Sequence, residues 1–312
     1  MSTLLVEPAN RCSHRAVTVA APAKINLTLD VLGRRDDGYH EVRSLAIGVG
    51  LYDDVCCRLT DDDEIVVVCS TPALCGPGNL AAAAAQRLRA CRGIGGGVHI
   101  AIDKRIPIGA GLGGGSSDAA AALRACSELW QAGLDDRGLA KIGSDVGSDV
   151  PLFFALPSVI IEGRGERTRP APLRWSGWVL LVYPGFPVST AEVYRAWRTT
   201  DVAGSPPGDP LALSQAATAA ELSPLLTNQL EPAVFRICPM LADLRQALLQ
   251  DEAIGEMGVS GSGSTLFRLF DDADAARRAA KRVHDRSPQA RTFIVEAPVQ
   301  ATWKTLLAHE EP

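Results

Sequence analysis

Residues 106–123 read IPIGAGLGGGSSDAAAAL and contain five glycines within seven positions. The segment before this glycine run, VHIAID (98–103), alternates apolar residues as a strand does, and Pro107 would end that strand. The alanine-rich segment after it predicts a helix that begins near Ser116, with Ser116 or Ser117 as its cap. A glycine run between a strand and a helix must follow a defined path, which disfavours a simple flexible linker.

Two further interpretations of the glycine run concern nucleotides. Gly109, Gly111 and Gly114 satisfy the dinucleotide pattern GxGxxG, but the acidic position about twenty residues later is Glu128, inside the predicted helix. The other interpretation is a phosphate cradle, because glycines let backbone N–H groups approach an anion at the positive end of a helix. No lysine follows the serines, so the loop is not a Walker A motif. The local sequence therefore favours a cradle of another type.

The composition agrees with a globular protein that binds small molecules. The chain has 312 residues, 46% hydrophobic and 21% charged, which predicts two domains that we divide into 17–172 and 173–312. A net charge of −5 argues against a nucleic acid polymer as partner. The eight cysteines show no CxxC pair or Cys/His cluster at metal spacing, which is typical of reduced thiols. With no signal-peptide or bilayer-length apolar segment, we expect a cytoplasmic monomer or homodimer without a membrane.

The pattern of secondary structure predicts an α+β fold. Alternating residues in 17–33 indicate a half-buried strand, and the first eighty residues suggest mostly antiparallel sheet. Asn79 is a candidate N-cap for a helix that ends at Gly93. Later segments predict a strand at 178–185, a turn-rich insertion at 201–210 and helices within 228–250. A second glycine run at 258–264, a helix at 272–285 and a closing strand at 292–297 follow.

Three segments resemble the motifs of one known family. The run from Pro107 to Ala119 resembles the phosphate-binding motif of the GHMP small-molecule kinases, 21–27 (APAKINL) their N-terminal motif, and 258–264 (GVSGSGS) their C-terminal glycine motif. The three occur in order, so the resemblance covers about residues 17–300. It implies an α+β fold of two domains with the active site in the cleft between them, ATP as phosphoryl donor and Mg²⁺ as cofactor.

Further segments resemble one subgroup of that family. The turn 35–40 (RDDGYH), the expanded GLGGGSSD loop and 147–151 (GSDVP) are typical of kinases whose substrate is a cytidine diphosphate ester of a sugar alcohol. Many relatives carry a shorter GLGSS loop instead. The expected partners are therefore two small molecules, ATP and a cytidine diphosphate sugar alcohol.

The resemblance also implies which residues bind ATP. They are the phosphate loop and one asparagine for the adenine, namely Pro107, Ile108, Gly109, Ala110, Gly111, Leu112, Gly113, Gly114, Gly115, Ser116, Ser117 and Asn79. For Asn79 the helix N-cap is an equal alternative. Ser117 could also bind Mg²⁺, with a helix cap as the competing role, and no other metal ligand is assigned.

For catalysis, the resemblance assigns Asp149 as the base that accepts the hydroxyl proton and Lys24 as the cation beside it. Asp149 lies between Gly147 and Pro151, where a carboxylate could point into a cleft; the alternative is a turn or cap aspartate. Lys24 lies among apolar residues of a strand, and its alternative is an edge-strand lysine that faces water.

The same resemblance implies a substrate site. Tyr39 would stack on the cytosine, His40 would bond to the base edge, Tyr194 would close a sandwich from a segment that includes Thr190, and Asn26 would contact the substrate. The alternative for Tyr39 and His40 is an aromatic pair that covers a loop.

The second glycine run, 258–264, would shape the pocket for the diphosphate and polyol, or would be a simple turn. Two rival functions stay open: another GHMP kinase with a different alcohol, and a non-catalytic nucleotide-binding member. The presence of both Asp149 and Lys24 counts against the second.

Overall fold

The computed structural model describes residues 15–202 and 207–306. The sequence interpretation of the first residues as lacking a signal peptide concerns mainly 1–14, which lie outside the described residues. The strands are β1 Ala16–Arg34, β2 His40–Thr60, β3 Ile65–Cys69, β4 Gly97–Asp103, β5 Ser158–Gly163, β6 Arg167–Pro170, β7 Gly177–Tyr183, β8 Thr227–Asn228, β9 Gly258–Val259, β10 Leu266–Phe270, β11 Arg291–Ala297 and β12 Thr302–Leu306.

Helices lie between runs of mostly antiparallel strands, which confirms the predicted α+β class. They are α1 Leu80–Arg92, α2 Gly114–Leu129, α3 Asp136–Gly143, α4 Thr190–Ala196, α5 Pro210–Gln215, α6 Ala219–Leu222, α7 Glu231–Ile237, α8 Pro239–Leu249 and α9 Ala273–Arg286. In the described part of the chain, no helix is long and apolar enough to cross a membrane.

Two sheets form the framework. The larger has the order β12-β1-β2-β4-β3, with β5 and β6 continuing from β2 and β8 pairing with β1; the smaller has the order β11-β7-β10-β9. Most pairs are antiparallel, as expected for the first eighty residues, and the exception there is the short β3, which runs parallel to β4. Strand β12, beyond the strand predicted to close the chain, returns to the larger sheet beside β1.

The buried core crosses the proposed domain boundary. One cluster of buried residues lies between the larger sheet and α1 to α3, and another between the smaller sheet and α7 to α9. A third contains Ile25 and Ile47 of the larger sheet together with Leu181 and Phe267 of the smaller. Because β8 and β12 also join the larger sheet, the division at 172/173 stays a prediction.

Strand β1 is buried on both faces, so the prediction of a half-buried strand is wrong for its central part. The polar residues of the alternation are as inaccessible as the apolar ones: Lys24 is 5%, Asn26 5%, Thr28 2% and Asp30 1% exposed. The reason is that both faces are covered: Ile25 and Leu27 pack in a cluster with the smaller sheet, and Gly113, Gly208 and Gly261 approach the polar side chains on the other face. The alternating polar residues of β1 therefore form a buried polar face and not a solvent-exposed one.

Helices α1 and α2 begin in different ways. Asn79 caps α1 as predicted, since its side chain accepts a bond from the Ala81 N–H, and Gly93 ends the helix in the left-handed conformation. Helix α2 begins at Gly114, earlier than the predicted Ser116, and its N-cap is Gly113 with φ 71°. The expected serine cap is therefore wrong, because the left-handed backbone at Gly113 already turns the chain into the helix.

Part of the turn-rich insertion 201–210 is described. The Asp201 carboxylate pairs with Arg236, and the backbone N–H of Gly208 donates to the buried Asp30 carboxylate at 3.0 Å. Asp209 then caps α5. The described ends of the insertion are thus attached to the fold at specific residues.

Candidate active site

The glycine run is held in place through its carbonyl groups. Four successive carbonyl oxygens accept hydrogen bonds from both halves of the chain. The bonds are Val188 N–H to Gly109 (3.0 Å), Thr265 N–H to Ala110 (3.1 Å), Ser260 Oγ–H to Gly111 (3.0 Å) and Lys24 N–H to Leu112 (2.9 Å). Since carbonyl oxygens would repel an anion, engaging them elsewhere leaves N–H groups as the polar groups free to meet one.

The second glycine run packs directly on the first. A Cβ at Gly111 would lie 2.1 Å from the Ser260 carbonyl oxygen and 2.8 Å from that of Gly263, distances that no side chain could adopt. Gly111 also has φ 76°, in the left-handed region. The close approach of the two loops therefore requires glycine at this position.

The first turn of α2 is the candidate anion site. The N–H groups of the first helical residues, Gly114, Gly115 and Ser116, have no acceptor within the helix, and its positive dipole end lies here. Gly115 is exposed, and a Cβ there would meet only Leu80 Cδ1 at 3.6 Å. The turn is thus open on the side from which an anion would approach.

Lys24 and Asp149 are brought together as the sequence predicted. The Lys24 ammonium lies 3.8 Å from Asp149 Oδ2, the lysine side chain is 6% exposed, and that of Asp149 is 42% exposed. Burial lowers the pKa of Lys24 from its ordinary value, and the negative charge of Asp149 opposes that shift. The alternative of a lysine facing water is therefore wrong.

A buried hydrogen-bond chain extends from Lys24 in the other direction. The Lys24 ammonium donates to Asn26 Oδ1 at 2.7 Å, and Asn26 Nδ2 donates to Ser44 Oγ at 2.7 Å. The Ser44 hydroxyl in turn donates to the Thr28 carbonyl oxygen. Asn26, expected to contact the substrate, is thus also the hydrogen-bond partner of Lys24.

The loop before Asp149 lies over the first turn of α2. A Cβ on Gly147 would stand 3.9 Å from Ser116 Oγ, so this hydroxyl is on the same side as the loop. Ser117 is different: its hydroxyl is buried, has no hydrogen-bond partner within residues 15–202 and 207–306, and lines a small cavity with Val19 and Phe153. The Ser117 side chain thus faces the interior, and its contact with ATP or Mg²⁺ stays a prediction.

An aromatic group flanks Asp149. The His40 and Tyr194 rings lie 5.2 Å apart at 31°, and Trp197 meets His40 edge-on at 5.4 Å. Burial raises the pKa of Tyr194, and the charge of Asp149 adds to that shift, so this phenol lies within electrostatic range of the carboxylate. Trp197 is a member that the sequence did not reveal.

Tyr39 makes a separate contact. It is 51% exposed, and the Arg164 guanidinium lies over its ring, 5.2 Å from the centroid. Arg164 also donates to the Ser144 carbonyl oxygen at 3.3 Å, and a Cβ on the neighbouring Gly165 would lie 3.0 Å from the Ser148 carbonyl oxygen. The turn between β5 and β6 therefore touches both the exposed tyrosine and the loop that carries Asp149.

The second glycine run is fixed from three sides. The hydroxyl groups of Thr190 and Ser262 lie 2.8 Å apart, and Asn228 Nδ2 donates to the Gly261 carbonyl oxygen at 2.8 Å. A Cβ on Gly261 would lie 3.2 Å from both Lys24 Nζ and Asn26 Oδ1. Residues 258–264 therefore form one wall of the site beside Lys24, and they are more than a connecting turn.

Two family models match this chain. The model for the GHMP kinases N terminal domain matches residues 79–155, and the model for the GHMP kinases C terminal domain matches residues 208–289. The chain belongs to the GHMP kinase family. As such it is a small-molecule phosphotransferase that uses ATP as its donor. We call the glycine run, 109–117, the phosphate loop after the role predicted for it from the sequence.

Individual relatives of this GHMP kinase cover nearly all of it. It is 43% identical over 272 residues to the 4-diphosphocytidyl-2-C-methyl-D-erythritol kinase of Geobacter sp. (strain M21), a match that covers 86% of this chain and 95% of that protein. The enzyme of the same name from Pelotomaculum thermopropionicum is 41% identical, with 89% of this chain and 98% of that protein covered.

One similar solved structure carries the same enzyme name as these relatives. A crystal structure of 4-(cytidine 5'-diphospho)-2C-methyl-D-erythritol kinase superposes with a TM-score of 0.72 at 35% identity, covering 90% of this chain and 99% of that one. A homoserine kinase from Cytophaga hutchinsonii has a TM-score of 0.71 at 18% identity, covering 97% and 100%, which shows the shared fold alone.

Asn79 uses both ends of its side chain within the fold of this kinase. Its Oδ1 accepts from the Ala81 N–H at 2.8 Å, and its Nδ2 donates to the Leu74 carbonyl oxygen at 2.9 Å. The N-cap is therefore confirmed, and the contact with adenine stays a prediction.

A buried charged cluster lies beneath the phosphate loop of this kinase. The Lys104 ammonium bonds to Asp118 Oδ2 at 2.6 Å and to the Asp53 carboxylate. Asp53 Oδ1 also accepts from the Ile106 N–H at 2.8 Å, and a Cβ on Gly114 would lie 3.3 Å from Lys104 Nζ. Burial raises the pKa of Asp118 to about 7, against the attraction of Lys104. This cluster, absent from the sequence interpretation, joins the loop to β2 and α2.

No cluster of metal-binding side chains stands ready in the described residues, where no group of three or more His, Cys, Asp or Glu could hold a metal ion. Mg²⁺ commonly takes one or two protein ligands and completes its shell with phosphate oxygens and water. The phosphate loop fits that pattern, because Ser116 offers a hydroxyl oxygen on the side of the Gly147 loop.

Proposed function

We propose that this kinase transfers the γ-phosphate of ATP to the 2-hydroxyl of 4-diphosphocytidyl-2-C-methyl-D-erythritol, in the non-mevalonate route to isoprenoid precursors. One observation carries the proposal: the backbone N–H of Lys24 holds the phosphate loop at Leu112 while its ammonium lies 3.8 Å from Asp149. One residue therefore contacts both the loop that would bind the donor and the group that would accept the proton. The names of the relatives supply the acceptor alcohol.

The phosphates would bind at the first turn of α2. The free N–H groups of Gly114 to Ser116 and the helix dipole would stabilise the negative charge of the triphosphate without a loop lysine. Mg²⁺ bound with ATP would neutralise part of that charge, with Ser116 as the protein hydroxyl best placed to reach it.

Asp149 would accept the proton of the substrate hydroxyl. The hydroxyl oxygen would attack the γ-phosphorus of ATP, and ADP would leave. Its partly exposed carboxylate can reach a hydroxyl in the cleft, whereas the buried Lys24 cannot move away from it. The Lys24 charge would orient the carboxylate and stabilise the negative charge that develops on the transferred group.

The aromatic residues would recognise the cytosine. Burial, followed by the charge of Arg34, lowers the pKa of His40, so the imidazole is neutral near pH 7 and offers one donor and one acceptor. The N4 amino group of cytosine is a donor, so the acceptor nitrogen of the imidazole could bind it. Tyr39 and Tyr194 would stack on the two faces of the base, each such contact contributing about 1–3 kcal/mol.

The remaining expectations belong to the same proposal. We place this kinase in the cytoplasm, as a monomer or homodimer whose partners are the two small molecules. Domains 17–172 and 173–312 would form the walls of the cleft, with Asn79 near the adenine and Thr190 near the substrate. The acidic net charge of −5 supports small ligands over nucleic acid polymers.

The test is an ADP-release assay with a panel of alcohols, including the cytidine diphosphate ester, mevalonate and homoserine. The proposal expects turnover with the cytidine ester alone. Turnover with another alcohol in place of the ester would support a different GHMP kinase. ATP binding in a calorimeter without turnover on any alcohol would support a non-catalytic member.

A further inference from the structure

Ser44 ends the buried chain that starts at Lys24, and no motif of the sequence includes it. It lies on β2 and is 2% exposed. The pairing of β1 with β2 shifts register between Asn26 and Thr28. At this irregularity the Ser44 hydroxyl reaches both the Asn26 amide and the Thr28 carbonyl oxygen.

The direction of every hydrogen bond in this chain follows from the charge on Lys24. An ammonium group only donates, so Asn26 must present Oδ1 to it and turn Nδ2 away. Nδ2 only donates, so Ser44 Oγ must accept from it. The Ser44 hydroxyl proton is then directed at the Thr28 carbonyl oxygen, which only accepts. The orientation of the amide is thus fixed at both ends.

We propose that Ser44 is a positioning residue that holds the Asn26 amide in the orientation that keeps Lys24 charged and directed at Asp149. This inference rests on the proposed function, in which the Lys24 charge supports the transfer step. Without the Ser44 hydroxyl, Nδ2 would be buried without its acceptor, and the amide could rotate and face the ammonium with its own N–H groups. Rotation would weaken the charged form of Lys24.

Few other groups influence the charge of Lys24. Asp149 is the only charged partner within salt-bridge distance among the described residues, and that carboxylate in turn faces the Tyr194 phenol. The other neighbouring elements present carbon atoms or backbone to Lys24, at Gly113, Phe153 and Gly261. A change in the titration of Lys24 after substitution of Ser44 would therefore be transmitted through Asn26.

The experiment measures kcat and KM of the full chain across pH 6 to 10 for wild type and Ser44→Ala. We expect kcat to fall about tenfold and the KM for ATP to change less than about twofold, because the backbone of Lys24 still holds the phosphate loop. The alkaline limb of the kcat profile should move down by about one pH unit, since a less stabilised Lys24 loses its proton earlier.

Two variants separate positioning from packing. Ser44→Thr keeps a hydroxyl and should restore the wild-type limb, and Ser44→Cys, which keeps the volume but bonds weakly, should give an intermediate shift. The matched control is Ser158→Ala, which removes another buried serine hydroxyl, one without a hydrogen-bond partner among the described residues. This control should leave the profile unchanged.

A double-mutant cycle tests the route through Asn26. In the Asn26→Ala background, Ser44→Ala should lower kcat by a further factor of less than about two, because the amide through which Ser44 acts is gone. An unmoved alkaline limb in both Ser44→Ala and Ser44→Cys, or equal effects with and without Asn26, would overturn the inference. Absence of turnover in the wild type would instead refute the proposed function, so the two failures are distinguishable.

Discussion

Lys24 and Asp149 form an ion pair whose two members differ in exposure. Their charged atoms lie 3.8 Å apart, with the lysine side chain 6% exposed and the aspartate side chain 42% exposed. Solvent therefore screens part of the attraction, and the pair contributes little to stability. The arrangement instead fixes the cation in the interior and leaves the carboxylate able to reach a ligand, as a proton acceptor must.

Asp149→Asn should abolish turnover and leave ATP binding nearly intact. The amide fits the same space but cannot accept the hydroxyl proton, so kcat should fall by at least about a hundredfold. Calorimetric titration with ATP measures the binding, and the ADP-release assay measures kcat. Asp145→Asn, on the same loop but paired with Arg87 at the surface, is the matched control. Near-normal turnover of the Asp149→Asn enzyme would remove Asp149 from the role of base.

Lys24→Met should reduce kcat by about a hundredfold or more with a small change in the affinity for ATP. The two effects separate because the side chain faces Asp149, whereas the backbone N–H, which this substitution retains, holds Leu112. Lys141→Met, at an exposed position of α3, serves as control. Equal losses of kcat and ATP affinity would show that the lysine side chain supports the loop itself.

Gly115→Val tests the phosphate loop with little cost to the fold. A Cβ there meets only Leu80 Cδ1 at 3.6 Å, and the residue is helical, so the added side chain projects toward the open side where the phosphates would lie. The affinity for ATP should fall at least about tenfold, with an unchanged melting temperature. Gly113→Val should weaken ATP binding too, but φ 71° and contact with Lys24 would also strain the loop.

Gly95→Val is the control for Gly115, because its Cβ would meet nothing within 4 Å and it lies after α1, away from the loop. Unchanged ATP affinity in the Gly115→Val variant would argue against binding at this turn.

The fold and the closeness of Lys24 to Asp149 were predictable from the sequence because their signals are local. The glycine run, the alanine-rich helices and the segments around Lys24 and Asp149 each carry a pattern in a few consecutive residues. Ser44, Arg164 and Trp197 carry no such pattern, since each acquires its role from a strand register, a hairpin turn or a ring contact formed across the chain. The start of α2 was misplaced because a serine cap is common, whereas a left-handed glycine can also begin a helix.

Arg164→Ala should raise the KM for the cytidine substrate about threefold to tenfold and leave the KM for ATP unchanged. The guanidinium lies 5.2 Å from the centre of the exposed Tyr39 ring and would hold that ring for stacking on the base. The control is Arg291→Ala, which removes a similar contact, 5.1 Å from the centre of Phe293 on β11. A KM unchanged for both substrates would mean that Tyr39 does not depend on Arg164.

Asp118→Asn should alter the pH dependence of stability. Burial raises the pKa of Asp118 from 3.8 to about 7, so between these values the folded chain binds a proton that the unfolded chain has released. The contribution of Asp118 to the free energy of unfolding therefore falls as the pH rises from about 4 to about 7, and it stays low above pH 7. Asparagine imitates the protonated acid, which leaves Lys104 paired with Asp53 alone.

Relative to wild type, the Asp118→Asn chain should thus gain at least about 1 kcal/mol in unfolding free energy between pH 5 and pH 8. Urea unfolding at both pH values, followed by circular dichroism, measures the difference. Asp136→Asn, which alters an exposed carboxylate at the start of α3, should show a curve parallel to that of wild type. If the curves of wild type and the Asp118→Asn chain were also parallel, Asp118 would be ionised throughout, and the cluster beneath the phosphate loop would carry a constant net negative charge.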